Sequence, residues 1–441
     1  MAPHNLCLKT ARLLLCFCAF LAGSPASGLA QDVLTLDRCI ALATENHPQT
    51  HIAENAVQAA EFSLSEVGKT ALPQVSATAL AMYAPVPPKF GYDPALTDGG
   101  QVAGQIVVRQ SVYDGGIRGL TSDQLRLDVE RAKQERSLTG LEITFAVRQA
   151  YSEALRAQEE VALRRESLTQ LTGYGDLVRR LHTGGTASYA DVLKSEMQTL
   201  MASLALEKAR EVSASSRLSL SEVIGLPIDS TTQFSGPATD VPRLGPDLDD
   251  LAQNLELNIA RLAMKVGQLD IQRASHERFP VISLVADAGY LSSGDNLRLP
   301  GADRLNAWGY SIGVGLEIPI LNWGATGLRV QQKELAADDL KLRIDLLQRS
   351  ISTEIRKTAL QVVQAQTRLA VLRETVRKAE QNFLLTKSKY VAGGALALEV
   401  FAAQQLLTDT RLDELQTGSD IRVLAARLER LTAHQQTSTG Q

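Results

Sequence analysis

Cysteine is scarce in this 441-residue chain, and three of its four, Cys7, Cys16 and Cys18, fall within the first 18 residues. Without that segment only Cys39 remains, so the rest of the chain cannot close an internal disulfide. Basic runs are lacking too. The net charge is −4, and with no basic stripe there is no nucleic-acid footprint. Beyond residue 23 no apolar run approaches the ~18 residues of a membrane-spanning helix. No complete phosphate loop, Gly-x-Ser-x-Gly nucleophile elbow or His-Glu-x-x-His helix is read from the chain. His47 and His51 stand four apart beside Glu45 and Glu54, but metal sites need three or four ligands, and Pro48 disturbs the turn between them. His182 and His276 lack ligand-like neighbours. No cofactor, no metal and no enzymatic activity are expected.

What is present begins with a secretory signal. Lys9 and Arg12 precede "LLLCFCAFLAG" (13–23), and small residues lead to "SGLA" before "QD". About eleven apolar residues suit a signal core and are too few to span a bilayer. Residues 1–30 are therefore expected to be removed after Ala30, which would leave a net charge of about −6. An uncleaved anchor is the alternative. An exported chain without spanning helices belongs to the periplasm, the exterior or an outer membrane.

The chain is a duplication. At an offset of 208, Gly116 meets Gly324, Gly119-Leu120 meets Gly327-Leu328, Ile143 meets Ile351, Arg148 meets Arg356 and Val192 meets Val400. At 207, Ile52-Ala53 meets Ile259-Ala260, Pro73 meets Pro280 and Tyr83 meets Tyr290. Shared helical composition explains apolar pairs but not glycines and prolines in one register. Each half, 31–224 and 248–432, is expected to run helix, strand, long loop, strand, very long helix, corner, helix. The opening helices are placed near 37–70 and 248–277. Residues 225–247, rich in proline and glycine, read as a linker, and 433–441 as a flexible tail.

No proline interrupts 117–181 or 325–391. Leu369, Leu372, Val376, Ala379 and Phe383 are spaced as a coiled-coil seam. Val161, Leu168, Leu171 and Val178 keep that phase in the first half, and Leu193, Met197, Leu200 and Leu204 continue it after the corner. At ~1.5 Å per residue, some 65 residues reach on the order of 100 Å. Rods this long must lie against other rods. The corners are "HTGG" before "SYADVLKSE" and "VAGG" before "LALEVFAAQ". Gly185 and Gly393 mark the reversals, and Asp191 and Glu399 each follow six residues on. An acid near a helix N-terminus gains ~0.3–1 kcal/mol from the macrodipole. These acids are thus either helix-start chemistry or part of a gate or docking surface.

Four short segments read as strands: "PQVSATALAMY" (73–83), "QVAGQIVVRQSVY" (101–113), "PVISLVADAGY" (280–290) and "WGYSIGVGLEIPIL" (308–321). Gln105, Val107 and Arg109 oppose Ile106 and Val108. Segments of ~10 residues with terminal tyrosine or tryptophan fit a transmembrane β-barrel, and solvent-exposed hairpins are the alternative. Four strands cannot close, and lipid does not tolerate open edges. Two copies would give eight strands, too narrow for an aqueous bore; three give twelve. The expected fold is mainly α with a small β part: internally duplicated long coiled-coil hairpins, plus four β-strands per protomer contributing to a trimeric 12-stranded β-barrel.

In order and spacing, "LTLDRCIALATENHPQ", "ALPQVS" entering a strand, "YDGG" after one, the corner "GTASYADVL" and the duplication resemble the TolC-like outer-membrane efflux protein family. The resemblance covers nearly all of the chain beyond residue 30. It implies a homotrimer in the outer-membrane lipid of a Gram-negative bacterium, with a periplasmic helical tunnel. It also implies docking to a periplasmic adaptor protein and an inner-membrane pump, proton-driven or ATP-driven. The implied tip, gate and docking residues are Gly185, Ser188 and Asp191 in the first half and Tyr390, Gly393 and Glu399 in the second. A Tyr390–Asp191 hydrogen bond is expected to hold one coil closed. Departures are Ala395 and Ala397, which leave the second tip without an arginine, Ala402 where some relatives carry an extra acid, and "NWG" (322–324) in place of "DGG". The implied function is the exit duct of a tripartite efflux system. The outer-membrane component of type I protein secretion is one alternative, and an exported coiled-coil scaffold or adhesin without a pore is another.

Overall fold

A computed structural model describes residues 33–82, 101–229, 231–236, 254–293 and 306–432. The expected signal, residues 237–247 of the linker, Tyr83 and the 433–441 tail lie outside them. In the first half β1 (Val33–Leu34), α1 (Leu36–Asn46) and α2 (Pro48–Lys69) lead to β2 (Gln74–Met82), β3 (Gln101–Tyr113), α3 (Ile117–Thr183) and α4 (Tyr189–Ile224). Then come β4 (Gln233–Phe234), α5 (Leu255–His276), β5 (Val281–Ser293), β6 (Asn306–Glu317), α6 (Ala325–Val391) and α7 (Ala397–Thr432). Two expectations change. The single helix over 37–70 is two, because Pro48 fits a helix's first turn but not its interior, and His47 caps the second by accepting from the Gln49 N–H at 3.2 Å. The strand expected to reach 321 ends at Glu317, where its ladder to β5 ends at Val281.

The long helices α3 and α6 have 67 residues each, on the order of 100 Å. Among the described residues no helix is long and apolar enough to cross a membrane. Helix α3 packs on α4, α7 on α6, and α3 on α7, so the rods form the row α4–α3–α7–α6. The duplication is visible in the core. Ile143, Val147 and Leu220 are buried together in one half, and Ile351, Ile355 and Leu428, their counterparts at 208, in the other. Fully burying each such side chain stabilises by ~1.5–3 kcal/mol.

Around the first half a short strap closes the middle of the rods. Strands β1 and β4 pair in parallel. The Tyr151 hydroxyl lies 2.8 Å from the Leu34 carbonyl and 2.6 Å from that of Ser235. Gln158 holds both backbone groups of Phe234 at 3.0 Å.

The sheet is antiparallel, in the order β2-β3-β5-β6. Side chains alternate across a strand, and the register sorts them cleanly. One row reads Val75, Val108, Ala286, Ile312 and the next Ala77, Ile106, Ala288, Tyr310. On the opposite face stand Ser76, Val107, Asp287, Ser311 and Gln74, Arg109, Val285, Gly313. One face is apolar and the other mixed polar. Among the described residues of the protomer both outer edges, β2 and β6, are unpaired.

Candidate functional site

The hairpin tips are the same turn built twice. Gly185 and Gly393 take φ of 78° and 79°, left-handed values that favour glycine. At the first tip the N–H groups of Gly184, Gly185 and Thr186 donate to the carbonyls of Arg180, His182 and Leu181. At the second, those of Ala392, Gly393 and Gly394 donate to Ser388, Tyr390 and Lys389. Three of the four carbonyls left over by each long helix are thereby satisfied as the chain reverses.

The returning helices start differently. At α4, Ser188 Oγ accepts from the Asp191 N–H at 3.1 Å, and the Asp191 carboxylate accepts from the Ser188 N–H at 3.3 Å and from its hydroxyl at 2.8 Å. This is a complete capping box. Before α7 the equivalent residue is Leu396, with no side-chain oxygen. Glu399 lies in the first turn, exposed, its N–H bonded to the Leu396 carbonyl at 3.0 Å.

Tyr390 does not join Asp191. Its hydroxyl is buried without a hydrogen-bond partner, as is that of Tyr174, while Asp191 is engaged by Ser188. The expected Tyr390–Asp191 hydrogen bond is therefore not formed. Tyr390 instead meets Tyr174 of α3, and Phe401 of α7 packs edge-on to Tyr174 with centroids 5.2 Å apart. Burial, then the neighbouring Tyr390, holds the Tyr174 hydroxyl neutral well above the usual tyrosine range, and burial moves Tyr390 the same way. Higher up, Arg411 of α7 reaches Glu166 of α3 at 3.1 Å and Glu380 of α6 at 2.6 Å. The Glu166 contact ties one hairpin to the other, and the Glu380 contact joins the two arms of the second hairpin.

Ala395 rests against the buried tip cluster, and Ala402 is exposed. Sequence reading missed Tyr174 and Phe401. The signal for Tyr174 was its place in the seam, three residues past Leu171 and four before Val178. It also missed that Gly309–Gly313 spells Gly-Tyr-Ser-Ile-Gly. A nucleophile elbow needs a sharp strand-to-helix turn, whereas Ser311 lies mid-strand and donates to Asp287 of β5. Among the described residues no three His, Cys, Asp or Glu side chains are grouped to hold a metal ion.

At the other end of the molecule, β6 carries Trp308, Tyr310, Ile312, Val314 and Leu316 on one face, each 61–83% exposed. Its other face is Gly309, Ser311, Gly313, Gly315 and Glu317. An aromatic and aliphatic outside over a small, polar inside is the pattern of a barrel wall in lipid.

The description "Outer membrane efflux protein" fits residues 39–226 and 249–434, one match per repeat. The chain belongs to that family. It is 23% identical over 292 residues to the outer membrane efflux protein BepC of Brucella suis, covering 65% of this chain and 63% of BepC. It is 24% identical over 403 residues to the pyoverdine export outer membrane protein OpmQ of Pseudomonas aeruginosa, covering 87% and 83%. To the alkaline protease secretion protein AprF of the same species it is 23% identical over 274 residues, covering 60% and 56%. The chain thus spans less than two thirds of BepC and AprF. The outer membrane protein VceC of Vibrio cholerae superposes with a TM-score of 0.74 at 17% identity, over 90% of this chain and 96% of VceC. That likeness establishes the fold: duplicated helical hairpins with a barrel sheet. Membership places the protein in the outer membrane, in a family of efflux proteins rather than enzymes.

Proposed function

We propose that three copies join edge to edge into a twelve-stranded barrel and a helical tunnel, which together form the passive exit duct of a tripartite export system. The observation that carries this is the four-stranded sheet, apolar on one face and unpaired on both edges. In lipid such edges must be satisfied, and only closure does so. The rods support the same ring. Leu193, Met197, Leu200 and Leu204 of α4 are 45–71% exposed on one flank, and Leu360, Val363, Val371 and Leu384 of α6 are 46–61% exposed on the other. A seam without a partner inside the protomer is a seam for the next copy.

The tips suit docking. Tyr189, Val391, Leu396 and Leu398 are all more than half exposed around Gly185, Ser188, Asp191, Gly393 and Glu399. In this reading they receive a periplasmic adaptor protein, and an inner-membrane pump supplies the energy. The duct does no catalysis. Relatives named for pyoverdine and for alkaline protease argue that the pump, not the duct, chooses cargo. The test is the purified protein in detergent and then in a planar bilayer. Trimers that conduct are expected; a stable monomer without conductance overturns the reading and returns the chain to a scaffold.

A further inference from the structure

Gly115 and Trp323 occupy the same place in the two repeats and share a left-handed backbone, with φ of 71° and 53°. Each precedes the glycine that opens a long helix. The turns themselves match: the Leu120 N–H reaches the Gly116 carbonyl and the Leu328 N–H that of Gly324, both at 3.2 Å. Among the described residues Trp323 is the one non-glycine with positive φ. A bulky side chain there is a backbone outlier.

What differs is the cover. Gly115 lies under the turn that leaves α5. His276 Nδ1 is 2.8 Å from its carbonyl oxygen, and a Cβ on Gly115 would come within 3.0 Å of Phe279 Cβ. Trp323 has no such cover in its own protomer and is 88% exposed. The counterpart of that turn leaves α2, and it is the same turn: Leu72 N–H to the Lys69 carbonyl at 3.0 Å, as Phe279 N–H to His276 at 3.0 Å. Leu72 is 59% exposed.

Strand β3 receives its cover because it pairs with β5, the strand that follows the α5 turn. Strand β6 is the equivalent of β3, and β2 is the equivalent of β5. In the trimer proposed above, the free edge of β6 takes β2 of the next copy, and the α2 turn comes with it. We infer that Trp323 is an inter-subunit wedge whose indole packs on the Leu72 turn of the neighbouring copy. A single Cβ already crowds the Gly115 junction, so an indole cannot fit the same spacing. The six junctions between barrel and tunnel therefore alternate, tight within a chain and wide between chains. The early end of β6 has the same origin. Residues 318–321 match 110–113, of which Gln110, Ser111 and Tyr113 pair with β5. Among the described residues of the protomer 318–321 have no strand partner; the neighbour supplies one. Pro319 falls at the equivalent of Ser111, where that ladder loses its regular register.

This inference rests on the trimeric reading, and its test separates the two. In a Cys39→Ser background, Trp323→Cys is combined with Leu72→Cys. A second protein combines Val314→Cys with Ala81→Cys, the edge equivalent of the Ile106–Ala288 pair. After a short bis-maleimide, both proteins should run as dimers and trimers on denaturing gels, and the single-cysteine proteins as monomers. Trp323→Gly should lower the temperature at which trimers dissociate in detergent. Linking of the edge pair alone overturns the wedge and leaves the trimer standing; linking of neither overturns the trimer. Strong quenching of Trp323 by brominated lipid in Trp308→Phe protein also overturns the wedge, in favour of a lipid contact.

Discussion

The ring of Tyr174 on the first long helix meets that of Tyr390 on the second, 5.4 Å between centroids and tilted by 53°. This contact joins the hairpins of one protomer near their tips, so they part only if it opens. The two buried hydroxyls face each other outside good hydrogen-bond geometry, and a poorly partnered buried hydroxyl costs ~1–3 kcal/mol. Tyr390→Phe should therefore leave bilayer conductance unchanged and stability equal or higher by about 1 kcal/mol. Phe401→Ala removes the edge-on ring, costs ~3–5 kcal/mol as core deletions of phenylalanine do, and should raise conductance. Opening by Tyr390→Phe instead would make a hydrogen bond to Asp191 the latch.

The strap around the rods gives a pH dependence. Burial, then the adjacent Cys39, pushes the Tyr151 hydroxyl up to about 12, and burial pushes the Cys39 thiol up to about 12. Above their ordinary values, near 9 for the thiol and 10 for the phenol, the unfolded chain loses protons that the folded chain keeps. Stability is thus intact at neutral pH and lost as pH rises toward 12. Thermal melts should show that fall, with a shallower slope in Tyr151→Phe. Cys39 in the folded protein should resist thiol reagents at pH 8, and labelling at the rate of a free thiol would contradict its burial.

The rods, corners and duplication were legible because their signals are local: seam spacing, proline-free length, and glycine where the backbone turns left-handed. The limits of β6 were not, since its alternation runs on to Leu321 while a ladder ends where its partner ends. The partner of Tyr390 was misread for a related reason. Asp191 was already satisfied three residues away by Ser188, letters that spell a capping box, whereas the Tyr174 contact joins residues from different repeats. The pairing of Val33 with Gln233 has no sequence signal at all, being two residues against two across most of a repeat.

The sheet makes neighbouring residues opposite in kind. Ile312 faces the apolar side and Ser311 the polar side, donating to Asp287. A lysine on a lipid-facing strand costs ~2–4 kcal/mol near the membrane midplane. Ile312→Lys should sharply reduce assembled protein in outer-membrane fractions. Ser311→Lys should assemble and shift ion selectivity toward anions through the bore. Equal assembly of both variants would mean that the sheet does not stand in lipid.

Ser188 and Leu396 hold the same position ahead of the two returning helices, 208 residues apart. Ser188→Ala removes the hydroxyl that accepts from the Asp191 N–H and should cost ~0.5–2 kcal/mol, read as faster amide exchange at Asp191 and Val192. Leu396→Ser completes Ser-x-x-Glu with Glu399 and should add about 1 kcal/mol of helix-start stability. Leu396 is 67% exposed, though, and in the proposed reading it is part of what an adaptor grips. The same substitution should therefore slow exchange at the start of α7 and weaken co-purification with the adaptor. If exchange slows and capture is undiminished, the apolar residues of the second tip do not form the docking surface, and the corner is a turn and nothing more.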